Sequence, residues 1–277
     1  MKKAKRIRKT IVYLILAGFS CAFILPLLWM IRSSLMDLGE IFQVPPLLLP
    51  KTARFDNYAK AMTIVPFGLY FLNTIVLVVL TLAGTVFTSS LTAYSFARLR
   101  WKGREFWFRL ILTSMMLPGA VTLIPTFIGW KTIGFYNTII PLVVPAFFGG
   151  GAFNIFLLRQ FYNSIPLEFD EAAFMDGASF FRIYASIILP LSRSAVIVVA
   201  IFAFLGTWND FFGPLIYLND SDKFTVALGL QMFQGSYNAE WGLLMAASTV
   251  VVAPAIAVFL FGQKYFIEGI TMTGLKG

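Results

Sequence analysis

Histidine is absent from this chain, and cysteine occurs once, at Cys21. Those two shortages remove most zinc, haem and Cys–His nucleophile arrangements, and they forbid a disulfide within the chain. Cys21 lies in an apolar run, where it reads as a small packing residue. Charge is scarce too: 13% of residues are Asp, Glu, Lys or Arg, against about 25% in an ordinary soluble domain. No G-x-x-x-x-G-K-[ST] phosphate-binding loop occurs, and the Lys276-Gly277 ending is not one, so no nucleotide site is expected on this chain. Nor is there a visible repeat, a low-complexity tract or a cluster of acids to carry chemistry; no catalytic or metal-ligating set is expected. What is abundant is apolar surface. Hydrophobic residues make up 58% of the chain and the mean hydropathy is +0.80. Water cannot accommodate that much of it, so the solvent must be lipid.

A helix of about 20 apolar residues crosses a hydrocarbon core of about 30 Å. Six segments qualify: residues 10–31, 68–97, 110–130, 137–158, 194–218 and 241–263. The reading is an all-α integral membrane protein, one six-helix transmembrane domain over residues 1–277. The first run has a basic start, but it is too long for a signal peptide and no A-x-A-like cleavage site follows it, so it reads as a retained span. The net charge of +9 is distributed beside the apolar runs, which fits anionic lipid headgroups rather than nucleic acid. With the N-terminus inside the cell, 16 of the 22 lysines and arginines fall on cytoplasmic segments. The positive-inside rule therefore places both termini in the cytoplasm. Trp101, Trp107, Trp130 and Trp241 read as interfacial anchors.

Residues 161–193 then form a cytoplasmic loop, too polar for lipid and too patterned for a slack connector. Pro166 suits a helix start. Glu168, Asp170 and Glu171 crowd the positive end of the helix dipole, and Gly177 can turn the chain. A second helix is expected from Ala178 to Leu189, broken by Pro190. An acid-capped interfacial helix pair explains the acids alone. It does not explain Glu171-Ala172-Ala173, Asp176-Gly177 and Ile187-Ile188-Leu189-Pro190 in this spacing.

That spacing resembles the EAA coupling loop of permease subunits of ATP-binding-cassette importers. Trp208-Asn209-Asp210 with Pro214-Leu215 resembles the W-N-[DE]-x3-P-L element of the sugar-transporting branch. Gln263-Lys264-Tyr265-Phe266 through Gly274-Leu275-Lys276-Gly277 resembles the ending of the same branch. The whole chain is similar to permeases of the maltose-transporter type. The resemblance implies a type I importer fold in a bacterial inner membrane. It implies a second permease, two copies of a cytoplasmic ATPase that bind the ATP and magnesium, an extracytoplasmic solute-binding protein, and a sugar as cargo. It also implies that Glu168, Glu171, Ala172, Ala173, Asp176, Gly177, Leu189 and Pro190 form the ATPase-coupling element. Glu171 would face a basic group, the alanines would permit close packing and Gly177 would set the turn.

Asp210 is the one acid inside an expected span, and a lone charge in hydrocarbon costs about 3 kcal/mol. Trp208, Asn209 and Asp210 are therefore candidates for the translocation path. The alternative is a helix end near the outer surface, bent by Gly213 and Pro214. Gly149-Gly150-Gly151 reads as a close-packing site rather than a hinge. The outer segments 32–66 and 219–240 are candidate contacts for the binding protein. Two rival functions stay open: an ion-driven secondary transporter, which would favour more intramembrane carboxylates and a repeat, and an importer of a non-sugar solute.

Overall fold

The computed structural model describes residues 2–234 and 240–274. The principal helices are α1 (Lys2–Ser34), α2 (Asp56–Ile64), α3 (Phe67–Arg98), α4 (Arg104–Ser114) and α5 (Gly119–Thr132). There follow α6 (Ala152–Ser164), α7 (Glu168–Met175), α8 (Phe180–Leu191), α9 (Arg193–Trp208), α10 (Phe212–Tyr217), α11 (Val226–Gln231) and α12 (Trp241–Gly274). No β-strand occurs among the described residues. Four helical segments are long and apolar enough to cross a membrane: Arg6–Ser34, Phe67–Arg98, Ile140–Ser164 and Trp241–Phe266. The number rises to six when each of two bent pairs, α4 with α5 and α8 with α9, is taken as one span.

Four expected helices differ in the structure, each for a local reason. Residues 137–158 are broken at glycines 149–151, whose left-handed backbone separates the short helical turns Ile140–Val143 and Val144–Phe147 from α6. Residues 110–130 are not one helix: α4 and α5 meet at 99°. Pro118 has no N–H to continue α4 and disfavours helical backbone at Leu117. Residues 194–218 are interrupted after Trp208, and α10 begins at Phe212. Pro190 does not break its helix. The chain stays helical through Leu191, then turns by 80° into α9 at Ser192. The stretch Tyr184–Ile188 is wound as a π-helix, with the Leu189 N–H donating to the Tyr184 carbonyl, and this wider turn sits directly before the missing proline N–H.

The chain forms two compact units, Met1–Gly68 with Gly229–Pro254, and Leu69–Leu228 with Ala255–Gly277. In the first, the buried Asn57 amide donates to the carbonyls of Ser34 (2.9 Å) and Met36 (3.3 Å). Ser34 and Tyr58 share a 2.7 Å hydrogen bond. Arg54 pairs with Asp37 at 2.7 Å and with Asp56 at 3.2 Å. The segment after α1 is thus folded back and fixed. In the second unit, Ala93, Tyr94, Phe96, Phe108, Ile155 and Leu158 pack with Tyr162, Ala173, Ile183, Tyr184 and Ile188 into one apolar core. This core joins α3, α4, α6, α7 and α8. Glycines 149–151 all have positive φ (89°, 64° and 93°). A Cβ on Gly150 would lie 2.5 Å from the Thr85 carbonyl oxygen, so close approach to α3 requires glycine there.

Candidate functional site

The loop between α6 and α8 contains the densest set of sequence-predicted residues. Helix α7 starts with Glu168, Asp170 and Glu171 in its first turn, the stabilising end for negative charge. Its other end is a Schellman cap. Gly177, at φ +76°, donates its N–H to Phe174 at 3.0 Å, and Ala178 donates to Ala173 at 2.9 Å. Ser179 then caps α8, accepting the Arg182 N–H at 3.3 Å. The result is a short helix, a glycine turn and a second helix, as the spacing predicts.

The two faces of α7 differ. Asp170 and Ala173 are buried, whereas Glu168, Glu171, Ala172 and Asp176 are exposed. A groove of about 430 Å³ is lined by Glu168, Phe169, Ala172, Ala173, Asp176 and Ile187. Leu189 and Pro190 lie apart from it, in an apolar groove of about 640 Å³ that also takes in Ala83, Phe87, Arg193 and Val196. Of the two alanines, Ala172 faces outward and Ala173 packs on the chain's own core.

Asp170 is held from behind. Its carboxylate lies 3.4 Å from the Arg98 guanidinium, with the two side chains only 9% and 3% exposed. The same guanidinium donates to the carbonyls of Tyr162 and Ile165, each at 2.7 Å. Burial pushes the Asp170 carboxyl above its ordinary range, and the Arg98 charge opposes that shift. Two more residues on the same face of α3 reach α8. Tyr94 donates to the Phe180 carbonyl at 3.0 Å, and Ser90 shares a 2.7 Å hydrogen bond with Tyr184. Ser90, Tyr94 and Arg98 recur every four residues, which sets them on one helical stripe. In the sequence, Arg98 is one of several basic residues that follow an apolar run, and charge counting does not single it out. The four-residue spacing of Ser90, Tyr94 and Arg98 is the signal in the sequence, diluted by Thr85, Thr88, Ser89, Thr92 and Ser95 in the same helix.

Trp208, Asn209 and Asp210 sit at the far end of α9, roughly 22 Å from Arg193 at 1.5 Å per residue. Trp208 is buried, stacked on Phe204 with ring centroids 5.5 Å apart. The exposed Asn209 amide donates to its own helix at Leu205 (2.9 Å). The Asp210 carboxylate accepts the Gly213 N–H at 3.0 Å in the gap before α10. The ending from Gln263 to Gly277 is helical through Gly274; Leu275, Lys276 and Gly277 lie outside the described residues.

A family described as "Binding-protein-dependent transport system inner membrane component" matches residues 86–271, which include the whole α7–α8 loop. The chain belongs to this family. It is therefore a multi-pass permease subunit of an inner-membrane transport system. Among similar proteins is the probable ABC transporter permease YurM of Bacillus subtilis, 34% identical over 98% of this chain and 90% of that protein. The diacetylchitobiose uptake system permease NgcG of Streptomyces coelicolor is 34% identical over 92% of this chain and 84% of that one. The arabinooligosaccharide transport permease AraQ of Bacillus subtilis is 33% identical, covering 98% and 96%. A permease-like fold is shared with a chain from the crystal structure of a bacterial ABC transporter that imports alginate, with TM-score 0.82, 23% identity, and coverage of 95% and 98%.

Proposed function

We propose that this permease forms half of the translocation path of an ATP-driven importer for a sugar or oligosaccharide. A second permease supplies the other half. Two copies of a cytoplasmic ATPase bind the ATP and magnesium, and an extracytoplasmic binding protein delivers the cargo. The observation that carries the reading is the two-sided α7 helix. Its inner face is anchored by Asp170 and Ala173, and its outer face presents Glu168, Glu171, Ala172 and Asp176 beside a groove. An acidic knob with a small residue at its centre suits a cleft carrying a basic group. Gly177 fixes the knob's angle. Leu189 and Pro190 act indirectly, by setting the turn from α8 into α9.

The cargo assignment is supported by relatives named for chitobiose, arabinooligosaccharide and galactooligosaccharide transport. Trp208 packs at the end of α9 and Asp210 caps the start of α10, so their contribution to the path is to hold that junction; Asn209 is the exposed member of the three. Purifying the tagged chain in mild detergent, with mass spectrometry of what accompanies it, tests the reading. An ATPase and a second permease in comparable amounts are expected, and vesicles of that complex should take up labelled oligosaccharide of one of these three kinds only with ATP. A stable chain without an ATPase would leave the proposed coupling face without its partner and promote an ion-driven mechanism.

A further inference from the structure

Arg98 sits where three helices end. It is the last residue of α3, its guanidinium donates to two carbonyls at the end of α6, and it pairs with Asp170 in the first turn of α7. Each of these positions favours what is found there. A cation is stabilised at the carboxyl ends of α3 and α6, an anion at the amino end of α7, and carbonyls left over at a helix end need donors.

We propose that Arg98 is a positioning residue that locks the ends of α3 and α6 and helix α7 into one rigid body. A displacement of α7 is then delivered straight to α3, as well as to the helices next to it in sequence. This rests on the docking of α7 on an ATPase proposed above. Apolar contacts between helices can slide, because dispersion has little direction. The Arg98 guanidinium is fixed by directional hydrogen bonds to the Tyr162 and Ile165 carbonyls and attracts the Asp170 carboxylate as an ion pair at 3.4 Å, which resists sliding. Pulling α7 away from α3 would also leave a buried charge unpaired, so moving the helices together is the less costly course. Tyr94 and Ser90 extend the same attachment along α3 to α8.

The test uses the assembled complex, with Cys21→Ser removing the chain's own cysteine and with cysteine-free partners. Nitroxide labels are placed at Val79→Cys, exposed on α3, and Asn163→Cys, exposed at the end of α6. The distance between them is measured by pulsed electron resonance, before and after addition of magnesium and a non-hydrolysable ATP analogue. The double variant Arg98→Met, Asp170→Leu removes both charges together, a replacement that buried pairs commonly tolerate. With the pair intact, nucleotide should leave the distance unchanged. In the double variant it should shift the distance by about 2 Å or more, or split it into two populations.

A nucleotide-induced shift with the pair intact, or none in the double variant, overturns the rigid-body role and leaves the importer reading standing. A double variant that no longer retains the ATPase also overturns it, because the pair then only builds the docking face. A wild-type chain that never retains an ATPase sinks the importer reading itself, and this proposal with it.

Discussion

Asp210 sits in a gap between two helices, with its side-chain oxygen accepting the Gly213 N–H. Asparagine at this position keeps an acceptor oxygen, so Asp210→Asn should leave folding and uptake unchanged. Asp210→Ala should cost about 1 kcal/mol, as loss of a cap does, read from thermal unfolding in detergent. Unaltered stability in the alanine variant would argue against the capping role. Gly177 is a purely conformational case: its φ is +76° and nothing lies within 4 Å of an added Cβ. A side chain there meets open space but a strained backbone, costing about 1–2 kcal/mol. Gly177→Asn should therefore retain more ATPase capture than Gly177→Val; equal capture would mean that the turn does not set the knob's angle. Arg98→Ala leaves the Asp170 carboxylate buried without its cation, a loss of about 3–5 kcal/mol. Membrane accumulation of that variant should fall sharply, and the double variant Arg98→Met, Asp170→Leu should restore it.

Helices in this chain end where backbone chemistry ends them, and most of those signals are readable. Pro166 ahead of the acids and Gly177 at the turn predict the α7–α8 pair from residue type alone, although the second helix starts at Phe180, capped by Ser179, rather than at Ala178. The bends were less legible. Pro118 and Pro190 both lie in apolar runs, yet one separates two helices at 99° and the other is carried inside a helix. The difference lies in the π-wound turn before Pro190, which depends on how Tyr184 and Ile188 are packed in the core. The glycine run 149–151 combines left-handed backbone with close packing. Gly150→Ala meets the Thr85 carbonyl and a positive φ at once, and should destabilise by about 3 kcal/mol. Gly206→Ala, in α9 with nothing within 4 Å, should be neutral or slightly stabilising. Comparable yields of the two variants from membranes would contradict the packing argument at Gly150.

At the scale of the whole molecule, apolar side chains stay turned outward along the long helices, as at Phe23, Val79 and Phe259, because lipid is as good a surrounding for them as a core. Apart from the buried Arg98–Asp170 pair, the ion pairs among the described residues each keep at least one exposed partner. Asp56, between Arg54 and Lys60, is held down to about 2 from its ordinary 3.8. A carboxyl lowered in the folded state stabilises above its unfolded value and stops doing so as it is protonated. The stability difference between wild type and Asp56→Asn should hold at neutral pH and close as pH falls from about 4 to about 2, followed by thermal melts. The difference will be small, because the pairs are exposed and screened. A gap that widens on acidification would reverse the assignment.

Composition and periodicity by themselves determined the helical membrane class, since 58% apolar residues leave no aqueous alternative. Local residue chemistry determined the helix–glycine–helix knob, because caps and left-handed turns depend on neighbours a few positions apart. Tertiary structure alone decided which acid serves which purpose. Glu168 and Glu171 face outward while Asp170 turns inward to Arg98, a partner far away in sequence. All three acids satisfy the same helix dipole equally well. Only the packing of α3 against α6 and α7 supplies the buried cation that tells them apart.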